Sequence, residues 1–559
     1  MRIRILRSIL QGSNGTIPAM DRRTLLLASA ASGAAAWLAG CRTESRSAAL
    51  KLPGAFELEE LTLLDLAAGL GQGKWTSSKL AELYLDRIEE VDRKGPLLNA
   101  VVQVNPDAMS LARQLDLERK DNHLRGPLHG IPILIKANIE TSDRMATTAG
   151  SLALADWHSS QDAFVISRMR AAGALILGKT NLSEWANFRS TRSTSGWSGC
   201  GGQTLNPYAR DRNPSGSSSG SGVAASANLC AACIGTETDG SVTSPASING
   251  IAGIKPTVGL VSRSGIIPIS ASQDTAGPMA RTVGDLAILL SAMSGLDPQD
   301  PITAGQRGKA AQDYARFLDP RGLRGARLGI ARKFFENDAP LDRFLSGCVE
   351  VLKKAGAEVI DPADLPTHGQ MDAPEMEVLL YEFKDGLNRY LSRIAPGNPA
   401  RTLKDLIAYN EKNREREMPM FEQELFIQSE AKGPLSETKY QQARAACLLL
   451  ARKNGIDAVT SKHKLDAVVT LTSGPAWYTD RINGDRDTGG CTTPPAVAGY
   501  PHITVPAGFY HGLPIGLSFF GDAFSEPTLF KLAYAWEQET KSRRKPTFAS
   551  SATDGLSNT

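Results

Sequence analysis

Gly216-Ser217-Ser218-Ser219-Gly220-Ser221 and Gly235-Thr236-Glu237-Thr238-Asp239-Gly240-Ser241 stand 24 residues apart, counted from Ser217 to Ser241. Loops this rich in serine and glycine bury little apolar surface, so packing alone does not account for them. Between them, 221–229 is alanine-rich and predicts a helix, and 231–235 predicts a short buried strand. Upstream, Gly130-Ile131-Pro132-Ile133-Leu134-Ile135-Lys136 is an apolar run closed by a lysine, and 131–135 predicts another buried strand. Residues 163–172 read as a helix, and Leu175-Ile176-Leu177 as a strand running into Gly178-Lys179-Thr180. Strands alternating with helices place the chain in the α/β class.

The pattern continues on both sides. Residues 61–91 have helical periodicity broken at Gly71-Gln72-Gly73, and 106–117 is a second amphipathic helix. Residues 301–480 are more charged and more helical, with a βαβ-like stretch at 327–331, 341–354 and 358–361. This variable part is expected to shape the substrate pocket. Residues 411–417 mix both signs of charge and read as a solvated helix face. A strand is expected at 465–471, two neighbouring strands at 500–508 and 514–520, and a last helix near 527–540. Residues 546–559 read as a polar tail.

The chain has 559 residues, 42% hydrophobic and 22% charged, which is a globular composition. Its formal charge of +3 is misleading, because residues 1–40 alone carry five arginines against Asp21 and the rest is −1. The body therefore has no basic excess for a nucleic-acid partner. Those forty residues read as a targeting segment. Asp21-Arg22-Arg23-Thr24-Leu25-Leu26 is a twin-arginine pattern, and 25–40 is apolar but shorter than the roughly 20 residues that span a bilayer. The run ends in Leu38-Ala39-Gly40-Cys41, which resembles a bacterial lipobox with Cys41 as the acylated residue. The expectation is an exported protein, periplasmic or held on a membrane through a lipid on Cys41, with 41–55 as tether. Met20 would serve as a start, since the pattern is complete from there. The seven cysteines show no disulfide spacing; Cys230 and Cys233 lie in an apolar stretch and read as buried small residues. No metal or cofactor motif is present.

Chemistry concentrates at Lys136, Ser217 and Ser241. A serine hydroxyl needs a base to act as a nucleophile. A lysine amine is ordinarily protonated, with a pKa of about 10.4, but burial behind an apolar strand lowers that value. A neutral Lys136 would then draw a proton through an intermediate serine. The Thr238-Asp239-Gly240-Ser241 run offers consecutive backbone N–H groups, the makings of an oxyanion hole.

With these residues the chain resembles the amidase signature family. The resemblance includes Gly130 to Lys136, Gly201-Gly202-Gln203-Thr204 with Asn206-Pro207, both serine clusters, and Gly253-Ile254-Lys255-Pro256-Thr257. It continues through Gln273-Asp274-Thr275-Ala276-Gly277-Pro278-Met279 to Ala498-Gly499-Tyr500-Pro501, and covers about 56–545. The resemblance implies a single large domain with a central mixed sheet flanked by helices. It implies Ser241 as nucleophile, Ser217 as bridging serine after a cis peptide bond, and Lys136 as base. Ser218 and Asp274 are supporting candidates, and Ser219 reads as a helix N-cap. The wording of the second cluster, with Val258 to Arg263, resembles bacterial peptide amidases, which take the C-terminal amide off peptides with water. Small aliphatic or aryl amides are the alternative substrates, and a binding lipoprotein that kept the fold is the non-enzymatic one. Two departures stand out. Ala137 follows the lysine where an acid is usual, and Asp239 replaces a glycine, which marks it as a clue to the substrate.

Two other readings compete. Gly216 to Gly220 satisfies G-x-S-x-G, with Ser218 as nucleophile and His502 or His511 as base, but that elbow needs a preceding strand and 206–214 is made of turn formers. Ser461 and Lys464 form a Ser-x-x-Lys pattern without its companion motifs. The family's amidotransferase branch acts on misacylated tRNA, a partner an exported lipoprotein does not meet.

Overall fold

The computed structural model of the chain describes residues 53–394, 397–486 and 488–552, all within one compact unit, Leu52–Thr559. The twin-arginine segment and Cys41 lie outside the described residues.

An eleven-stranded mixed sheet runs through the described unit. In chain order its strands are β1 (Val101–Val104), β2 (Pro132–Lys136), β3 (Leu175–Thr180), β4 (Ala232–Glu237), β5 (Ala252–Lys255) and β6 (Thr275–Ala280). They are followed by β7 (Arg327–Ile330), β8 (Glu358–Ile360), β9 (Ala467–Leu471), β10 (His502–Tyr510) and β11 (Leu513–Phe520). Their spatial order is β1-β3-β2-β4-β6-β5-β10-β11-β9-β7-β8. At one end β2 lies parallel between β3 and β4, with Ile133 opposite both Ile176 and Ala232. Every residue of β2, β3 and β4 is buried, which explains why these strands read as continuous apolar runs. At the other end the expected βαβ unit is present: β7 and β8 are parallel, joined by the helix Ala339–Lys354. The expected pair near the C-terminus is the β10–β11 hairpin.

The serine-rich loop feeds the helix Ser219–Ser226, in which all eight residues are buried. Its small side chains answer a close approach. A Cβ on Gly220 would stand 2.3 Å from Ala100 O and 2.5 Å from Asn181 O, both backbone atoms. Ser218, not Ser219, occupies the N-cap position; Ser219 Oγ instead donates to Ser215 O at 2.6 Å.

A second apolar cluster joins the 301–480 part to the first half. Phe383 stacks on Phe426 at 5.4 Å between centroids, and Trp185 meets Phe426 edge-on at 5.9 Å. The solvated helix face expected at 411–417 is real only in part. Glu411 and Arg414 are exposed, but Glu417 is fully buried, accepting from Leu152 N at 2.6 Å and Ser151 Oγ at 3.1 Å. Beside it lie the buried pair Glu184 and Arg189, 3.2 Å apart. Part of the expected polar tail is also packed: Phe548 is buried and its N–H donates to Pro207 O.

Candidate active site

Lys136 closes β2, and its side chain is fully buried. Its Nζ has three polar neighbours: Ser217 Oγ at 2.8 Å, Thr236 Oγ1 at 2.9 Å and Thr236 O at 3.2 Å. Burial pulls its pKa down to about 7, against the opposing charges of Glu237 and Asp274. A neutral amine has two protons and one lone pair. The two oxygens of Thr236 accept the protons, which leaves the lone pair for the Ser217 hydroxyl. Lys179 and Lys255 are also buried, with pKa values pushed down to about 7 and about 8. Their Nζ groups donate to Ile139 O and Thr147 Oγ1, and to Pro256 O, respectively. Burial therefore does not single out Lys136; its serine does.

The Gly216–Ser217 peptide bond is cis, as the resemblance implied. Ser218 N–H donates to Ser241 O at 3.1 Å, so the two serine clusters, distant in sequence, touch. Ser218 Oγ donates to Thr236 O at 3.1 Å and accepts from Thr236 N at 3.2 Å. That hydroxyl holds the end of β4, the strand carrying the acceptors of Lys136.

After β4 the chain turns at 238–241, with Gly240 at φ +74°, a left-handed conformation that favours glycine. Glu237 fixes the far side of the turn: its carboxylate accepts from Val242 N at 2.8 Å and Thr243 N at 2.9 Å. The N–H groups of Thr238, Asp239, Gly240 and Ser241 donate to no acceptor among the described residues. Unpaired N–H groups in succession are what an oxyanion requires. Asp274 anchors the turn from the side. It accepts from Thr238 Oγ1 at 2.6 Å and from Ile269 N and Ser270 N at 2.9 Å each, and burial raises its pKa to about 6.

Asp239 is held within the turn by one of its two oxygens. Its Oδ2 accepts from Thr493 Oγ1 at 2.7 Å, its Oδ1 is buried without a partner among the described residues, and burial raises its pKa to about 6. It ties the turn to the helix Thr493–Ala498. The elbow reading fails. Ser218 is bound to the backbone of β4. His502 is buried on β10 with Nε2 2.6 Å from Ser518 Oγ, and burial lowers its pKa to about 3. His511 is exposed at the hairpin turn. Ser461 and Lys464 sit exposed at the end of the surface helix Asp457–His463. Cys230 and Cys233 are buried and free, with sulfurs 3.2 Å apart.

A cavity of about 750 Å³ lies beside this site; Asn138, Thr236, Glu237 and Thr238 line it there, whereas Lys136, Ser217 and Ser241 are not among its lining residues. Arg263, Asp274 and Asp300 flank it, and Tyr390, Arg389 and Arg393 reach it from the helix Asp372–Ser392 and its C-terminal end. The variable part thus supplies one wall, as its composition suggested. Two contributors were not expected from sequence, Thr236 and Asn138. A threonine inside a motif carries no signal of its own; it is the 2.9 Å contact with Lys136 that reveals it.

A buried lysine touching a serine, a second serine in a turn of N–H groups unpaired among the described residues, and a mixed α/β sheet carrying both fit an amide-bond hydrolase as a class. The amidase family model matches residues 79–530, and the chain belongs to that family. A probable amidase of Arabidopsis thaliana is 42% identical over 513 residues, covering 89% of this chain and 94% of that protein. A glutamyl-tRNA(Gln) amidotransferase chain of Chloroflexus aurantiacus is 35% identical over 499 residues, covering 87% and 98%. Among solved structures, the native peptide amidase of Stenotrophomonas maltophilia is 49% identical with a TM-score of 0.84, covering 88% of this chain and 100% of that one. The protein is an amidase, a hydrolase of amide bonds.

Proposed function

We propose that this amidase releases ammonia from C-terminal peptide amides through an acyl-enzyme on Ser241. The observation that carries the mechanism is the 2.8 Å contact of a buried Lys136 Nζ with Ser217 Oγ, its other two contacts being the oxygens of Thr236. Neutral Lys136 takes the Ser217 proton as Ser217 takes that of Ser241. Ser241 Oγ attacks the amide carbonyl, and the oxyanion is held by backbone N–H groups of 238–241. Collapse breaks the C–N bond while the relay returns a proton to the leaving nitrogen, which departs as ammonia. Water then attacks the ester by the same relay and frees the acid. The substrate class is supported by the solved peptide amidases at about half identity. It is also supported by the cavity, whose volume of about 750 Å³ a small aliphatic or aryl amide would leave mostly unfilled. Ammonia release from amidated dipeptides by the wild type and by Ser241→Ala tests this. We expect a loss of at least about 10³-fold; equal rates would overturn it.

For the leader we propose export as a lipoprotein acylated at Cys41, on the strength of Arg22-Arg23 and Leu38-Ala39-Gly40-Cys41. Membrane contact would then come through the lipid. Labelled palmitate should enter the wild type and not Cys41→Ala; no label in the wild type contradicts the anchor.

A further inference from the structure

Asn138 follows the lysine by two positions and is only 3% exposed. Its Nδ2 donates to Thr236 Oγ1 at 3.0 Å, the hydroxyl that also serves Lys136. Its Oδ1 is buried and has no hydrogen-bond partner. Among the described residues lining the main cavity, Asn138 is the only one with such a buried, unpaired side-chain atom. A narrow recess also borders this side chain, walled by Ala149, Trp185, Ala186, Ile267, Pro268 and Ile269. Apart from the indole N–H of Trp185, those side chains offer nothing to donate. A buried acceptor left unpaired costs about 1–3 kcal/mol, which a donor brought to it would recover. A substrate N–H in the main cavity, which Asn138 lines, would supply the missing donor, as would the Trp185 indole N–H, itself buried and unpaired.

Resting on the amidase reading above, we propose that Asn138 Oδ1 accepts a hydrogen bond from the N–H of the residue that carries the scissile amide. Asn138 and Lys136 both donate to the Thr236 hydroxyl, so the N–H that Asn138 would meet belongs to the part of the substrate beside the relay. A peptide amide has that N–H. A plain aliphatic or aryl amide lacks it and leaves the oxygen unpaired. Asn138 thereby selects α-acylamino amides, by penalising substrates without a donor as much as by rewarding those with one.

The test is a matched pair of substrates, N-acetylphenylalaninamide and O-acetyl-3-phenyllactamide, which differ by N–H against O. Ammonia release is followed for the wild type, Asn138→Ala and Asn138→Ser. The wild type should favour the N–H substrate by about tenfold to a hundredfold in kcat/KM. In both variants that ratio should fall toward one, whatever their absolute rates; a purely structural role would slow both substrates alike and leave the ratio. Equal kcat/KM values in the wild type would overturn the proposal, and that comparison stands even if a variant fails to fold. A ratio that survives in both variants would overturn it as well. Release from other amides but from neither of these also overturns it, whereas release from no amide at all removes the amidase reading beneath it.

Discussion

Lys136 shows how a single residue acquires a function from its surroundings. Burial brings its pKa down to about 7, and the opposing charges of Glu237 and Asp274 keep it from falling further. As a base it works only when deprotonated, so kcat/KM should rise with pH through about 7 and level off above. A profile that falls over the same range would contradict the role. Thr236 should matter almost as much: Thr236→Val removes one of the two acceptors that orient the amine, and should lower kcat by about tenfold to a hundredfold with little change in KM. The lysine, both serines and the turn N–H groups are legible in sequence because residue type and order carry them. The bond from Thr493 Oγ1 to Asp239 is not legible there, since no sequence signal says that its carboxylate turns toward Thr493.

At the level of elements, apolar continuity makes β2, β3 and β9 readable from residue order alone. β5 and β6 are not readable that way, because Gly253, Gly277 and Pro278 mask them as loop. Their composition has a physical cause: a Cβ on Gly277 would stand 2.2 Å from Ile254 O in the neighbouring strand. The same logic gives a prediction for the helix Ser219–Ser226. Gly220→Ala would push a methyl into the backbone at Ala100 and Asn181, which cannot yield as a flexible side chain would. It should lower the melting temperature and displace the Ser217 loop, with activity falling more than stability. Leu134→Ala in β2 is the contrasting case. It opens a cavity in a fully buried strand and should cost about 2–5 kcal/mol in chemical denaturation.

Across the whole molecule, the 301–480 part is held to the catalytic half by hydrogen bonds from Ser151, Leu152 and Arg189 to Glu417 as well as by aromatic packing. Glu184, Arg189 and Glu417 are all fully buried, and burial, with the neighbouring Glu417, pushes the Glu184 pKa up to about 8 against the pull of Arg189. The folded protein therefore keeps a proton there that the unfolded chain, near 4.5, gives up. The stability this contributes is full below 4.5 and is lost as pH rises toward about 8. Glu184→Gln should flatten the decline of stability between pH 5 and 8; parallel curves for variant and wild type would contradict the assignment. This joint is invisible in sequence, where Glu417 belongs to an ordinary run of mixed charge. The central claim is that the base of the reaction is a lysine acting through a serine. It is tested most directly by ammonia release from a peptide amide by Lys136→Ala and by His502→Gln, both confirmed folded. Lys136→Ala should lose at least about 10³-fold in kcat/KM and His502→Gln should stay within about tenfold of wild type; the reverse order would contradict the account.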